Sequence, residues 1–514
     1  MSGFTGFRAA SAVLAAMSAL AACGGGGGGG GGGGLAIGAA PDIFALSASE
    51  VAASICNGTF TSESVTRGYL ARAKARPDLN AFVTLDEAGA IKAAQAADAR
   101  RNTGAECLPL QGVPIVVKDN IQSAGLPATA GTPALKDFVP AADAPVLKKL
   151  RDAGAVVLGK TNMHELAFGI SGYNPAFNTS ANVGVRNAYD AAKMAGGSSS
   201  GTAAAIGARM APAGLGTDTG ASVRLPCALN GCAALRPTVG RYSQAGIAPI
   251  SHTRDTAGPM AVSMNDVELM DRVIAGGSPV AAADLATVRV GLVADFQANM
   301  DADTRTAFDA ALAKLKAAGV TVVEVGMPDL ATLNSNVSFP VAFYEAYDDM
   351  VSYLASTNTG VTIEQMVASV ASPDVKGTYE AVVIPRKLPT PNGLIDNAPV
   401  YNEAMTVHRP ALIKLYADTF AANKLDALIF PTVPKVALTA NAESSSVDNF
   451  VSFIQNTDPG SNAGIPGVQV PIGLGASSKL PIGLELDGPA GSDRRLVAIG
   501  VAIEALLGRI APAR

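Results

Sequence analysis

The sequence predicts an α/β fold, a central and mostly buried β-sheet covered by helices on both faces. Three observations carry that prediction. Short apolar runs bounded by glycine, Val113 to Val117 and Ala155 to Leu158, read as strands, because a strand covered on both faces is apolar throughout instead of alternating. Between them, Pro145 to Asp152 reads as a helix. The same runs return at Arg289 to Val293, Val320 to Val323, Ala427 to Phe430 and Val468 to Ile472, with an apolar-striped helix from Asp301 to Ala317 between two of them. Strands and helices in this rhythm are what a sheet clothed by helices requires.

Taken in order, the chain begins with an address. Residues 1–23 hold one cation, Arg8, ahead of an alanine-rich apolar run from Ala9 to Ala22, too short to span a bilayer comfortably and read as a signal peptide. The run ends in Leu20-Ala21-Ala22-Cys23, which resembles the bacterial lipobox, whose cysteine is lipidated and becomes the mature first residue. Eleven glycines, Gly24 to Gly34, follow. With no side chain to bury and maximal backbone entropy they form a flexible leash, so 24–44 is assigned as a tether. The alternative is an ordinary secreted protein whose Cys23 is discarded with its peptide. The leash, useless without an anchor, favours a lipoprotein of the periplasm or cell envelope, touching the membrane only through that lipid.

The body, 45–508, reads as one large domain with no internal repeat or linker. Ser47-Ala48-Ser49-Glu50 and Thr61-Ser62-Glu63-Ser64 open its first helices in the manner of N-caps. From about 334 to 421 the pattern turns helical and prolyl and carries Phe339, Phe343 and Tyr347, either the aromatic walls of a pocket under a cap or plain helix packing. Cys56, Cys107, Cys227 and Cys232 allow Cys56 with Cys107 or Cys227 with Cys232, but the sequence leaves the pairing open.

Composition removes whole classes of function. Lys and Arg number 38 against 43 for Asp and Glu, a net charge of −5, which supplies no cationic footprint for a phosphate backbone and excludes a dedicated nucleic-acid binder. Three histidines, His164, His252 and His408, and no C-x-x-C spacing leave no metal centre to expect.

The chemistry concentrates in three pieces. Gly196 to Gly201, a Gly/Ser run, leads into small residues that allow a closely packed helix. Leu215 to Pro226 runs from an apolar approach into a Gly/Ala/Ser turn whose N–H groups are free to converge on an anion. Lys118 stands at the end of the strand Val113 to Val117, where partial desolvation lowers its pKa and fits it for a base. Singly, each has a bland explanation as a surface loop or a solvated strand end.

Together they resemble the amidase signature family, serine hydrolases with a Ser-cisSer-Lys triad. Pro114 to Asn120, Gly159 to Glu165, Leu235 to Arg241, Asp255 to Pro259 and Pro481 to Glu485 resemble the same family, in order. The spacing of 24 residues from Ser198 to Ser222 is also the family's. The resemblance implies a large mixed sheet, Ser222 as nucleophile, Ser198 as a bridging serine after a cis peptide bond, and Lys118 as base. It implies an oxyanion hole of the N–H groups of Thr219, Gly220, Ala221 and Ser222. Ser199 and Asp218 would orient the relay and loop, with Arg224 beneath the turn. A hydroxyl is a poor nucleophile at neutral pH and needs such a base. No cofactor is implied, and monomer and homodimer stay open.

One departure stands out: the family often has Gly-Gly-Ser at the nucleophile, where this chain has Gly220-Ala221-Ser222. A positive φ at Ala221 would cost ~1–2 kcal/mol.

The expected activity is hydrolysis of aryl or small neutral carboxylic amides through an acyl-enzyme. Aryl carbamates and esters are the alternative, since one acyl-enzyme route serves all of them. The family's glutamine-tRNA amidotransferase subunit is disfavoured by the signal peptide. A lipid-anchored binding protein without turnover is disfavoured by the complete triad. Gly197 to Gly201 also fits G-x-S-x-G with Ser199 as nucleophile, but that elbow needs a strand before it, and Asn187 to Ala195 is not one.

Overall fold

The predicted strands all belong to one mixed sheet. The computed structural model describes residues 42–178 and 182–513; the expected signal peptide, Cys23 and nearly all of the tether lie outside the described residues. In chain order the strands are β1 (Phe82–Leu85), β2 (Pro114–Lys118), β3 (Val156–Thr161), β4 (Ala213–Asp218), β5 (Ala233–Arg236), β6 (Thr256–Ala261), β7 (Arg289–Leu292), β8 (Thr321–Glu324), β9 (Lys387–Thr390), β10 (Gly393–Asp396), β11 (Ala427–Pro431), β12 (Gly467–Leu474) and β13 (Pro481–Asp487). Eleven of them pair in the order β1-β3-β2-β4-β6-β5-β12-β13-β11-β7-β8, and β9 with β10 makes a separate hairpin. The β3-β2-β4 and β11-β7-β8 stretches are parallel, while the strands between β4 and β11 pair antiparallel.

Helices begin where their caps place them. Ser47 caps Ala48–Cys56 in a full capping box with Glu50, and the Thr61 side chain caps Ser62–Ala75. Pro145 opens Pro145–Asp152, whose Val146, Leu147 and Leu150 are buried, and Asp301 caps Ala302–Ala317. The body extends slightly past the expected 45–508: the Phe44 ring meets Tyr69 edge-on at 5.4 Å, and Ala513 is buried. An apolar contact at each end ties these residues to the body.

Two disulfides settle the cysteine pairing, Cys56–Cys107 and Cys227–Cys232. The 334–421 stretch is mostly helical, led by Leu330–Ser356, and also carries the β9-β10 hairpin. Among the described residues no helix is long and apolar enough to cross a membrane.

The register at the sheet's middle places the chemistry. Every residue of β2, β3 and β4 is buried. Because β2 and β4 run parallel with Val117 opposite Leu215, Lys118 at the end of one comes beside Gly216-Thr217-Asp218 at the end of the other. Ligand sites in such sheets gather where strands end.

Candidate active site

Lys118 is completely buried. Its Nζ donates to Ser198 Oγ at 2.8 Å, to Thr217 Oγ1 at 2.7 Å and to the Thr217 carbonyl at 3.4 Å. Burial lowers its pKa to about 7, against the opposing pull of the Asp218 and Asp255 charges. A lysine in this state is a base at neutral pH.

The Gly197–Ser198 peptide bond is cis. Ser199 ties the two serine segments together: its N–H donates to the Ser222 carbonyl at 3.1 Å, and its Oγ donates to the Thr217 carbonyl at 3.2 Å. Gly216 permits that approach, since a Cβ there would lie 2.7 Å from Ser199 Oγ.

The loop Thr219 to Ser222 is held from beneath. Arg224, without solvent exposure, donates from Nη2 to the Gly220 carbonyl at 3.2 Å and to Ser461 Oγ at 2.7 Å, and from Nη1 to Glu485 at 3.0 Å. Its Nε and Arg236 Nη1 donate to the Asp218 carboxylate at 3.1 and 2.9 Å. Burial opposes the Asp218 charge, but these two guanidinium groups outweigh it and hold the carboxyl well below the usual carboxylate range. Asp218 Oδ2 also accepts from the Val223 N–H at 3.0 Å, which closes the turn after the serine.

Among the described residues, the N–H groups of Thr219, Gly220, Ala221 and Ser222 have no protein acceptor. Four successive N–H groups without a protein acceptor are available to an anion. Ala221 is absent from the positive-φ residues, so the feared cost of alanine there does not arise; it belongs to the buried apolar cluster that also holds Leu225, Phe453 and Ile454.

Ser222 lines an apolar pocket with Phe168, Ile170, Phe339, Phe343, Phe450 and Ile454. The rings follow one another: Phe450 to Phe339 at 6.0 Å, Phe339 to Phe343 at 5.1 Å, and Phe343 to Phe168 at 6.1 Å. Tyr347 corrects the expected wall. It lines a different cleft with Val351 and Leu354, its ring under the Arg386 guanidinium at 4.7 Å. Residues four apart drift by 40° per step around a helix, so Phe339 and Phe343 share the pocket face and Tyr347, a further 6 Å along, has turned from it.

The bridge between the serines is the one link left open. Ser222 Oγ makes no hydrogen bond among the described residues, although Ser198 is already engaged with Lys118. Hydrogen bonds of this kind often tighten only in the substrate complex.

The elbow alternative at Ser199 is not met. Residues 187–196 contain no strand, and Ser199 is fully buried and committed to Thr217. Each histidine is engaged elsewhere: His164 Nε2 with Asp374 at 3.0 Å, His252 Nδ1 with Asp349 at 3.0 Å, and His408 beside Glu403 at 3.6 Å. His252 therefore pairs through its ring with Asp349.

Several residues went unread in the sequence. Thr217 and Asn120 sit inside the recognised motifs, and Asn120 Nδ2 donates to Thr217 Oγ1 at 3.1 Å, but nothing in their spacing marks them as partners of Lys118. Asp255 accepts from Thr219 Oγ1 at 2.6 Å, and burial pushes its carboxyl up to about 6. Phe168, Phe450, Arg254 and Asp458 reach the pocket from four separate segments.

Comparison with known proteins points the same way as this geometry. The family model described as amidase matches residues 64–497. Mandelamide hydrolase of Pseudomonas putida is 44% identical over 468 residues, 91% of this chain and 92% of that protein. Indoleacetamide hydrolase of Agrobacterium vitis is 40% identical over 443 residues, 85% of this chain and 91% of that protein. The crystal structure of an amidase superposes with a TM-score of 0.76 at 31% identity, covering 90% of this chain and 100% of that one.

Proposed function

The chain belongs to the amidase family of hydrolases acting on C–N bonds, and from that premise we propose that it cleaves neutral aryl-bearing carboxylic amides through an acyl-enzyme on Ser222. The observation that carries this reading is a single pocket holding both Ser222 and the run of rings from Phe450 to Phe168. An aryl group seated there gains apolar burial and ring contacts while its carbonyl reaches the serine. The relatives named mandelamide hydrolase and indoleacetamide hydrolase bear the names of aryl amides, which supports the same substrate class.

In the proposed mechanism, neutral Lys118 takes the Ser198 proton as Ser198 takes that of Ser222, and Ser222 Oγ adds to the carbonyl carbon. The oxyanion settles among the N–H groups of Thr219 to Ser222. The intermediate collapses, the C–N bond breaks, and the nitrogen leaves with the proton returned along the relay. Water then adds to the acyl-enzyme by the same route in reverse and releases the carboxylic acid. Ser222 swings onto Ser198 when substrate fills the pocket.

The test is hydrolysis of a matched panel sharing one aryl acyl group, as primary amide, anilide, ester and carbamate, by the protein lacking residues 1–34. Turnover of the amides bears the reading out; turnover of the ester or carbamate alone overturns it.

The exported, lipid-anchored location is part of the same proposal. Two cysteine pairs at disulfide distance support it, because such bonds persist in oxidising compartments. Detergent-phase partition of the full chain, lost in Cys23→Ser, is the expected result; equal partition of both would refute the anchor.

A further inference from the structure

A second cleft adjoins the Ser222 pocket and reaches the relay. It encloses about 300 Å³, room for a small organic group, and Ala167, Thr219 and Ile250 line both cavities. None of the rings Phe168, Phe339, Phe343 and Phe450 lines it. Its wall instead includes Thr217, which accepts from Lys118, and Asn120, which donates to Thr217.

Catalysis fixes which half of an amide belongs in each cavity. With the carbonyl oxygen on the N–H groups of Thr219 to Ser222 and the aryl acyl half among the rings, the departing nitrogen takes its proton from Ser198 and Lys118. That nitrogen faces the relay, and Thr217 of the relay lines the second cleft and not the first.

The charge of the cleft narrows what the nitrogen carries. Asp255 and Asp349 line it, and among the described residues no lysine or arginine does. Its one basic side chain, His252, has Nδ1 3.0 Å from Asp349 and Nε2 3.5 Å from Glu345, so a protonated ring is already matched. Asp255 accepts from Thr219 Oγ1 and from the backbone N–H groups of Ile250 and Ser251, and among the described residues no cation pairs with it. Carboxylates around so small a cavity favour positive charge inside it.

We propose that this cleft binds the amine half of the substrate and selects amines bearing a second, positively charged group, so that aryl-acylated diamines are hydrolysed. The bond broken is still the amide C–N bond: water supplies the hydroxyl of the aryl acid and a proton to the nitrogen, which leaves as the free diamine. The inference rests on the aryl-amide reading above and extends it from the acyl half to the substituent on nitrogen.

The experiment gives the full chain four phenylacetyl amides that differ only on nitrogen: unsubstituted, 2-aminoethyl, 2-hydroxyethyl and 2-carboxyethyl. Near neutral pH, kcat/KM should rank the cationic amide above the neutral hydroxyethyl amide by about 10-fold, with the anionic one last. The aminoethyl-over-hydroxyethyl ratio is unaffected by the fraction of folded protein. It should fall about 3- to 10-fold in Asp349→Asn, and it should decline with added salt in the wild type, a reading that needs no variant. Another ranking of the substituted amides, turnover of the unsubstituted amide alone, or a ratio indifferent to Asp349→Asn or to salt overturns the inference and leaves the aryl-amide reading standing. A wild type that hydrolyses none of the four overturns both.

Discussion

Lys118 Nζ and Ser198 Oγ, 80 residues apart in the chain, meet at 2.8 Å where neither side chain is exposed to solvent. No carboxylate hydrogen-bonds to that amine, and burial lowers its pKa to about 7, so the neutral form is available near neutral pH.

The first prediction follows from that burial. The relay needs neutral Lys118, whose pKa is lowered to about 7, so kcat/KM should fall as pH drops through about 7 and the amine takes a proton. Asp255, anionic above about 6, raises the Lys118 pKa, so Asp255→Asn should move this limb to lower pH. A limb that stays in place in Asp255→Asn, or survives in a still-active Lys118→Met, contradicts the assignment.

Ser222→Ala should cut turnover by at least about 10³-fold, because the nucleophile acts as a unit with its base. Its unfolding curve should match the wild type, since Ser222 Oγ makes no hydrogen bond that the change would remove. Acyl-enzyme accumulating in this variant, seen by intact mass, would move the nucleophile elsewhere.

Thr217→Val removes the hydroxyl that accepts from both Lys118 and Asn120. Each donor loses one bond, Lys118 keeping Ser198 Oγ and the Thr217 carbonyl and Asn120 keeping the Ala248 carbonyl, at a cost of about 1–3 kcal/mol in all, and Lys118 is freer to leave Ser198. Denaturant unfolding should show the loss of stability, with kcat falling more than KM rises. Wild-type stability and kcat together would show that Thr217 is idle.

Arg224→Met leaves Asp218 and Glu485 buried with a countercharge gone, and breaking such a pair from one side costs about 3–5 kcal/mol. Thermal unfolding of Arg224→Met should reveal that loss. A melting curve identical to the wild type would mean the network beneath the nucleophile loop carries little stability.

Phe339→Ala opens the middle of the ring series and should raise KM for aryl amides while sparing small aliphatic ones. Equal effects on both substrate types would remove the ring wall from substrate binding.

Much of this protein was legible in its sequence because the signals were local. Glycine-bounded apolar runs marked β2, β3, β7, β11 and β12, since continuous apolarity is what burial on both faces demands. Side-chain caps located helix starts to the residue at Ser47 and Thr61. Lys118, Ser198 and Ser222 stood in motifs whose order and spacing are one-dimensional facts. Strands β5 and β6 escaped because their four and six residues mix small, polar and prolyl positions that only pairing makes extended.

The sequence by itself determined the fold class, the motif positions of Lys118, Ser198 and Ser222, and the family to which they point. Only the tertiary structure decided that Thr217 anchors Lys118, that Ala221 needs no positive φ, that Phe168 and Phe450 complete a wall which Tyr347 does not join, and that Asp255 and Asp349 share a cleft with Thr217. Each of those depends on which distant segments the sheet's pairing order brings together. A contact between residues far apart in the chain follows from packing, and no local spacing encodes it.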